Sequence, residues 1–169
     1  YNGMVTQRNK VDQAAAQLDS AYQRRFDLVP NLVESVKGAQ AQEQKVFGDL
    51  AAARTQYGGA KTTEDRLAAS QQYESALSRL LVVVENYPEL ASTETVQNLL
   101  IQLEGTENRI KVERDNYIAA ATTYNTMIQH FPKNILAGMF GFDKKDLYTA
   151  DVGAATAPKV NLTQPAAAQ

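Results

Sequence analysis

Apolar and small side chains recur between Thr93 and Phe131 at Val96, Leu99, Leu100, Leu103, Ile110, Tyr117, Ala121, Tyr124, Ile128 and Phe131. The steps alternate between three and four, which predicts one amphipathic helix packed along its whole length. At 1.5 Å per residue, roughly 39 residues span about 58 Å. Thr93 suits the N-cap, and Pro132 stands where the helix has to stop. A first helix carries Met4, Val11, Ala15, Leu18, Tyr22 and Phe26 on one face and is expected to end at the turn Asp27–Asn31, because a residue preceding Pro disfavours helical geometry. Pro30 then opens a second helix through Leu32, Val36, Val46, Phe47, Leu50, Ala53 and Tyr57, which Gly58-Gly59 ends. A third runs through Leu67, Tyr73, Leu77, Leu80, Leu81, Val84 and Tyr87 to Pro88. After Pro132, the apolar stretch Ile135–Phe142 predicts a further helical turn or two.

Four long amphipathic helices joined by short turns predict an all-α, up-down-up-down four-helix bundle with a short extra C-terminal helix. The bundle is assigned to residues 1–148, and the Ala/Pro-rich stretch 149–169 reads as a loose tail. This topology puts Asp27–Asn31 and Pro88–Ser92 at one end, and Tyr1, Gly58-Gly59 and Phe131 at the other. The fourth helix should then overshoot the rest by about ten residues, or ~15 Å, beside Tyr1.

Composition narrows the function classes. Few Gly and Pro and abundant Ala, Gln, Glu and Leu favour helix throughout. A formal charge of −2 is too small to imply an electrostatic grip on nucleic acid or on anionic lipid. Without cysteine there are no disulfides, thiolate metal sites or Cys nucleophiles. No apolar run reaches ~20 residues. Tyr1 falls inside a predicted helix with no initiator Met, so a signal peptide or an anchor removed upstream is expected.

Several strings carry a family resemblance: Gln23-Arg24-Arg25-Phe26-Asp27-Leu28-Val29-Pro30-Asn31-Leu32-Val33, Glu85-Asn86-Tyr87-Pro88-Glu89-Leu90, Leu103-Glu104-Gly105-Thr106-Glu107-Asn108-Arg109-Ile110 and Ala157-Pro158-Lys159-Val160. Through them the chain resembles the LemA family of bacterial proteins. It departs at Gln42, where a His is expected before Glu43, at Ile118, where an Asn is expected, and at Asn161-Leu162, which replaces an Asp-Phe ending. The resemblance implies a helical bundle preceded by one N-terminal transmembrane helix and displayed outside the cytoplasm in the bacterial envelope. It implies no catalytic residues and no cofactor.

Three groups of residues are candidates for function. Glu43, Glu74 and Glu107 fall at similar depth on core-facing stripes, a carboxylate layer of the kind di-iron bundles use. Those sites also need Glu-x-x-His pairs, and the single histidine, His130, stands apart, so no metal is expected. An Arg–Glu network fixing helix register, with Arg8, Arg54, Arg109 or Arg114 as partners, is the simpler expectation. Gly105, costly inside a helix, is ascribed to close helix approach. Arg24, Arg25, Asp27, Asn31, Glu85, Tyr87 and Glu89 are expected to converge at the end with two turns, either as caps and solvated charge or as a patch for an unknown envelope partner. Ile135, Leu136, Met139, Phe140 and Phe142, with Lys133, Lys144 and Lys145 nearby, are expected to cap the core and touch lipid with their outer residues. The functional expectation is a membrane-tethered scaffold or adaptor without a small-molecule substrate. A metal-dependent enzyme built on the carboxylate layer and a lipid-interacting protein are the alternatives.

Overall fold

The structure is a computed structural model that describes residues 1–36 and 44–147; side chains 63, 64 and 67 are not described. All regular structure among the described residues is helical: α1 (Asn2–Val36), α2 (Gln44–Gly59), α3 (Thr63–Asn86), the single turn α4 (Pro88–Ala91), α5 (Glu94–Gln129) and α6 (Lys133–Phe140). None of these helices is long and apolar enough to cross a membrane.

The expected break at Asp27–Asn31 does not occur. α1 runs straight through Pro30, so the predicted first helix and the start of the second are one element. A proline in a helix interior removes one hydrogen bond and crowds the preceding turn, at a cost of about 3 kcal/mol. The offset is burial. Phe26, Val29, Leu32 and Val36 continue the stripe from Tyr22 and are all buried, and each contributes about 1.5–3 kcal/mol. Asn31 Nδ2 also donates to the Asp27 carbonyl at 3.4 Å.

α1 and α5 form the main pair, antiparallel along nearly their full length. Gln7 Nε2 donates to the Ala120 carbonyl near one end, and Arg25 meets Glu107 farther along. Thr93 caps α5 as expected, its hydroxyl accepting from the Val96 N–H at 3.4 Å. α2 and α3 form a second pair, tied by Asp49–Arg79 at 3.0 Å. Its connection at Gly59–Thr63 is short, but it does not reach the Tyr1 end. Tyr57 donates to Asp19 at 2.6 Å and Arg66 pairs with Asp19 at 2.7 Å. That places the hairpin tip about 27 Å along α1 from Tyr1. The expected overhang therefore belongs to α1 and α5 together, as a two-helix stem.

A two-helix stem cannot cover its own apolar stripe, and the chain after α5 supplies the cover. Gly141 ends α6 in the left-handed conformation, and the Phe142 N–H reaches the Ala137 carbonyl at 2.9 Å. The chain then lies back along α5. Asn125 grips residue 145 from both sides, Nδ2 donating to the Lys145 carbonyl (2.7 Å) and Oδ1 accepting from its N–H (2.8 Å). Tyr117 donates to the Asp146 carbonyl at 3.0 Å, and Lys145 Nζ pairs with Asp12. The expected tail, 149–169, lies outside the described residues.

Candidate functional site

The two helix pairs meet through a buried polar layer. Arg25 lies on the seam of α1 between Tyr22 and Val29 and is completely buried. Its guanidinium sits over the rings of Tyr73 (4.9 Å), Tyr22 (5.0 Å) and Phe26 (5.8 Å). Nη1 lies 3.4 Å from each carboxylate oxygen of Glu107, whose side chain is 12% exposed. Nε and Nη2 have no hydrogen-bond partner among the described residues. Beside this pair, Arg114 Nη2 reaches Glu74 at 3.6 Å and donates to the Tyr22 hydroxyl at 3.3 Å, and Tyr22 donates to Ser70 at 3.5 Å.

Burial pushes the Glu107 carboxyl above its ordinary range, reinforced by Glu74 and opposed by Arg25 and Arg114. Tyr73 is pushed up to about 12 by burial, against the pull of Arg25 and Arg54. The layer therefore holds charge that is only partly compensated, and among the described residues no member carries the geometry of a nucleophile with its base.

The structure thus joins Glu74 and Glu107 in one network, while Glu43 lies outside the described residues. Of the four arginines expected as partners, Arg114 takes Glu74 and Arg109 takes Glu113 at 2.6 Å. Arg8 instead lies over the Phe142 ring at 5.2 Å, and Arg54 lines a cleft between α1 and α2. Arg25, expected in a surface patch, is the partner of Glu107. Buried Glu113, held also by Asn116 at 3.1 Å, went unnoticed in the sequence. The signal was its spacing, three residues after Ile110 and four before Tyr117.

The remaining patch residues do not converge. Arg24, Asp27 and Asn31 are exposed along the middle of α1, and among the described residues Asp27 accepts side-chain hydrogen bonds from its own helix alone, from Gln23 and Asn31. Phe26 is level with Tyr73, at 4.8 Å between ring centroids. Glu85 therefore lies about 18 Å farther along α3, and Glu89 beyond it. Continuing α1 through Pro30 is what separates them. Among the described residues no group of three or more His, Asp or Glu side chains is placed to hold a metal ion.

At the opposite end, α6 splits by face. Ala137 and Phe142 are buried and Leu136 is half-buried against the core. Ile135, Met139 and Phe140 point outward, beside Phe131, which is 79% exposed, and Tyr1. Tyr1 contacts Phe140 and Phe142 edge-on at 5.1 and 5.8 Å. This end presents five large apolar side chains to the outside, with exposed Lys133 two residues after Phe131 and exposed Lys144 two residues after Phe142.

Comparison with known proteins adds ancestry to this geometry. The chain is 29% identical over 177 residues to magnetosome proteins MamQ 1 and MamQ 2 of Paramagnetospirillum magneticum, covering 88% of this chain. It is 26% identical over 174 residues to magnetosome protein MamQ of Magnetospirillum gryphiswaldense. It spans 64% of the length of each of these relatives. The profile of the LemA family matches residues 14–162, and the chain belongs to the LemA family.

Proposed function

We propose that this chain is a non-catalytic, membrane-associated scaffold that stands on a lipid surface by its Tyr1–α6 end. The observation that carries the reading is the outward apolar set Tyr1, Phe131, Ile135, Met139 and Phe140 at the tip of the stem. Five exposed large apolar side chains gathered at one end are unusual on a protein with no use for them. Flanking lysines suit an interface, where apolar rings enter the acyl boundary and ammonium groups stay with the headgroups. A single spanning helix continuing α1 upstream of Tyr1, with the domain outside the cytoplasm, is the topology that fits this orientation. The length the chain does not share with its relatives leaves room for such a segment. The far end, where α1, α2, α3 and α5 run alternately up and down, would then project away to meet other envelope proteins.

The carboxylate layer favours this reading over a metal-dependent enzyme. Glu74 and Glu107 each already face a guanidinium at 3.4–3.6 Å. A cation entering there would have to displace those arginines inside the bundle.

Sedimentation with vesicles containing anionic lipid tests the orientation. The wild-type chain should sediment with the vesicles. Phe140→Glu should abolish binding with little change in melting temperature, because Phe140 is half exposed. Phe142→Glu should instead unfold the stem, since it buries a charge. Vesicle binding that survives Phe140→Glu would refute the lipid-facing assignment.

A further inference from the structure

Gly105 has no packing reason to be glycine. It lies inside α5, where glycine is less favourable than alanine, yet a Cβ built there meets no atom of the described residues within 4 Å. The close helix approach expected from the sequence is absent. The space before it is a cleft of about 400 Å³, lined by Ala21 and Arg24 of α1 and by Gln102, Gly105, Thr106 and Arg109 of α5. The Thr106 hydroxyl turns back to the Gln102 carbonyl at 2.8 Å, so the floor is methyl groups and bare backbone. Arg24 is exposed and makes no ion pair among the described residues. Arg109, also exposed, holds Glu113 with Nη2 and keeps further N–H donors of its fork.

We propose that this cleft docks an acidic helix of a partner protein, with one Glu or Asp carboxylate seated over Gly105 between Arg24 and Arg109. Small residues let a third backbone come close, and planar guanidinium forks match a carboxylate in two-point geometry. The charge of the cleft selects the partner's chemistry. Its height excludes lipid under the orientation proposed above, because Arg24 lies about 35 Å along α1 from Tyr1. The inference rests on the scaffold reading for the partner being a protein, and it stands apart from the vesicle-binding end.

The test places a photo-crosslinking p-benzoylphenylalanine at position 102 of the full-length, membrane-embedded protein and identifies the crosslinked peptide by mass spectrometry. The expected product is a helical segment of another protein carrying Asp or Glu. Yield should fall at least tenfold in Arg24→Glu and in Gly105→Ala, and Gly105→Ala should melt no lower than wild type. Changing the partner's acidic residue to Lys should restore crosslinking in Arg24→Glu. Crosslinks only to a second copy, only to lipid or to nothing overturn the proposal, as does a yield indifferent to charge reversal. These variants should leave vesicle sedimentation unchanged, so failure here and failure of the lipid-facing end are separate results.

Discussion

Replacing Arg25 with Met isolates what the buried layer contributes. Methionine keeps most of the aliphatic stem and removes the charge, so packing against Tyr22, Phe26 and Tyr73 is largely retained. What is lost is the pairing with Glu107, at 3.4 Å to both oxygens, and the guanidinium–ring contacts. Removing one partner of a buried pair strands the other charge and costs about 3–5 kcal/mol. Against a total of roughly 5–15 kcal/mol this is severe, equivalent to a fall in melting temperature of roughly 6–20 °C for a chain this size. The second arm is Arg25→Met with Glu107→Leu, which removes both charges and should recover most of the loss. The third arm is pH. Burial holds the folded Glu107 carboxyl above its ordinary value of 4.5. The folded state therefore binds the proton more tightly than the unfolded state does, so this group's contribution to stability falls as pH rises through that window and is regained on acidification. Without Arg25 the carboxyl rises further, so the penalty of the single variant should shrink between pH 7.5 and pH 5. Urea unfolding followed by circular dichroism at both pH values measures all three arms. A single variant within 1 kcal/mol of wild type, or a double variant no better than the single, would refute the reasoning.

Pro30→Ala should stabilise the chain by about 1–3 kcal/mol, because it restores a helix-interior N–H and relieves the preceding turn. A raised urea midpoint at unchanged slope checks it, and an unchanged midpoint would mean that the helix has already absorbed the cost. Asn125→Ala removes both hydrogen bonds to residue 145 and should cost about 1–3 kcal/mol. It should also open the segment 142–147 to limited proteolysis, and resistance equal to wild type would show that Phe142 alone holds that segment.

The all-helical class was legible because the three-and-four spacing is strong over α3 and α5, and Thr93 marks a real N-cap. The local rule at Pro30 predicts a break because it takes no account of the burial around the proline. Phe26, Val29, Leu32 and Val36 keep helical spacing across the proline, and that continuity, already in the string, was the better guide. That one break has further consequences. Splitting α1 makes the first three helices similar in length, brings Arg25 and Glu85 to one end, and assigns the overhang to the last long helix alone rather than to a two-helix stem. The split of α6 into inner and outer faces follows from its helical spacing and from Tyr1 lying alongside, and only the second of these needed the fold. The sequence could show neither the strap along α5 nor the open space before Gly105. Both depend on where residues far apart in the chain come to rest.

The position of the charged layer has its own logic. α1 and α5 are long, antiparallel and lined by apolar residues at nearly uniform spacing, so sliding one along the other by a heptad, roughly 10 Å, forfeits little apolar contact. Apolar burial alone therefore specifies that these helices pair, and only weakly at which height. Arg25 meets Glu107 in one register only, and any slide leaves two buried charges without partners. The same layer fixes the hairpin, because Tyr22 reaches Ser70 and Arg114 reaches Glu74 at that height. A polar pair that is costly to bury and adds little net stability is a good device for uniqueness, as single polar positions are in coiled coils. The Arg25→Met, Glu107→Leu chain should accordingly be nearly as stable as wild type yet less singular. Paired spin labels on α1 and α5 should report a broadened distance distribution in that variant. A distribution as narrow as that of the wild-type chain would mean that the apolar seam sets the register unaided.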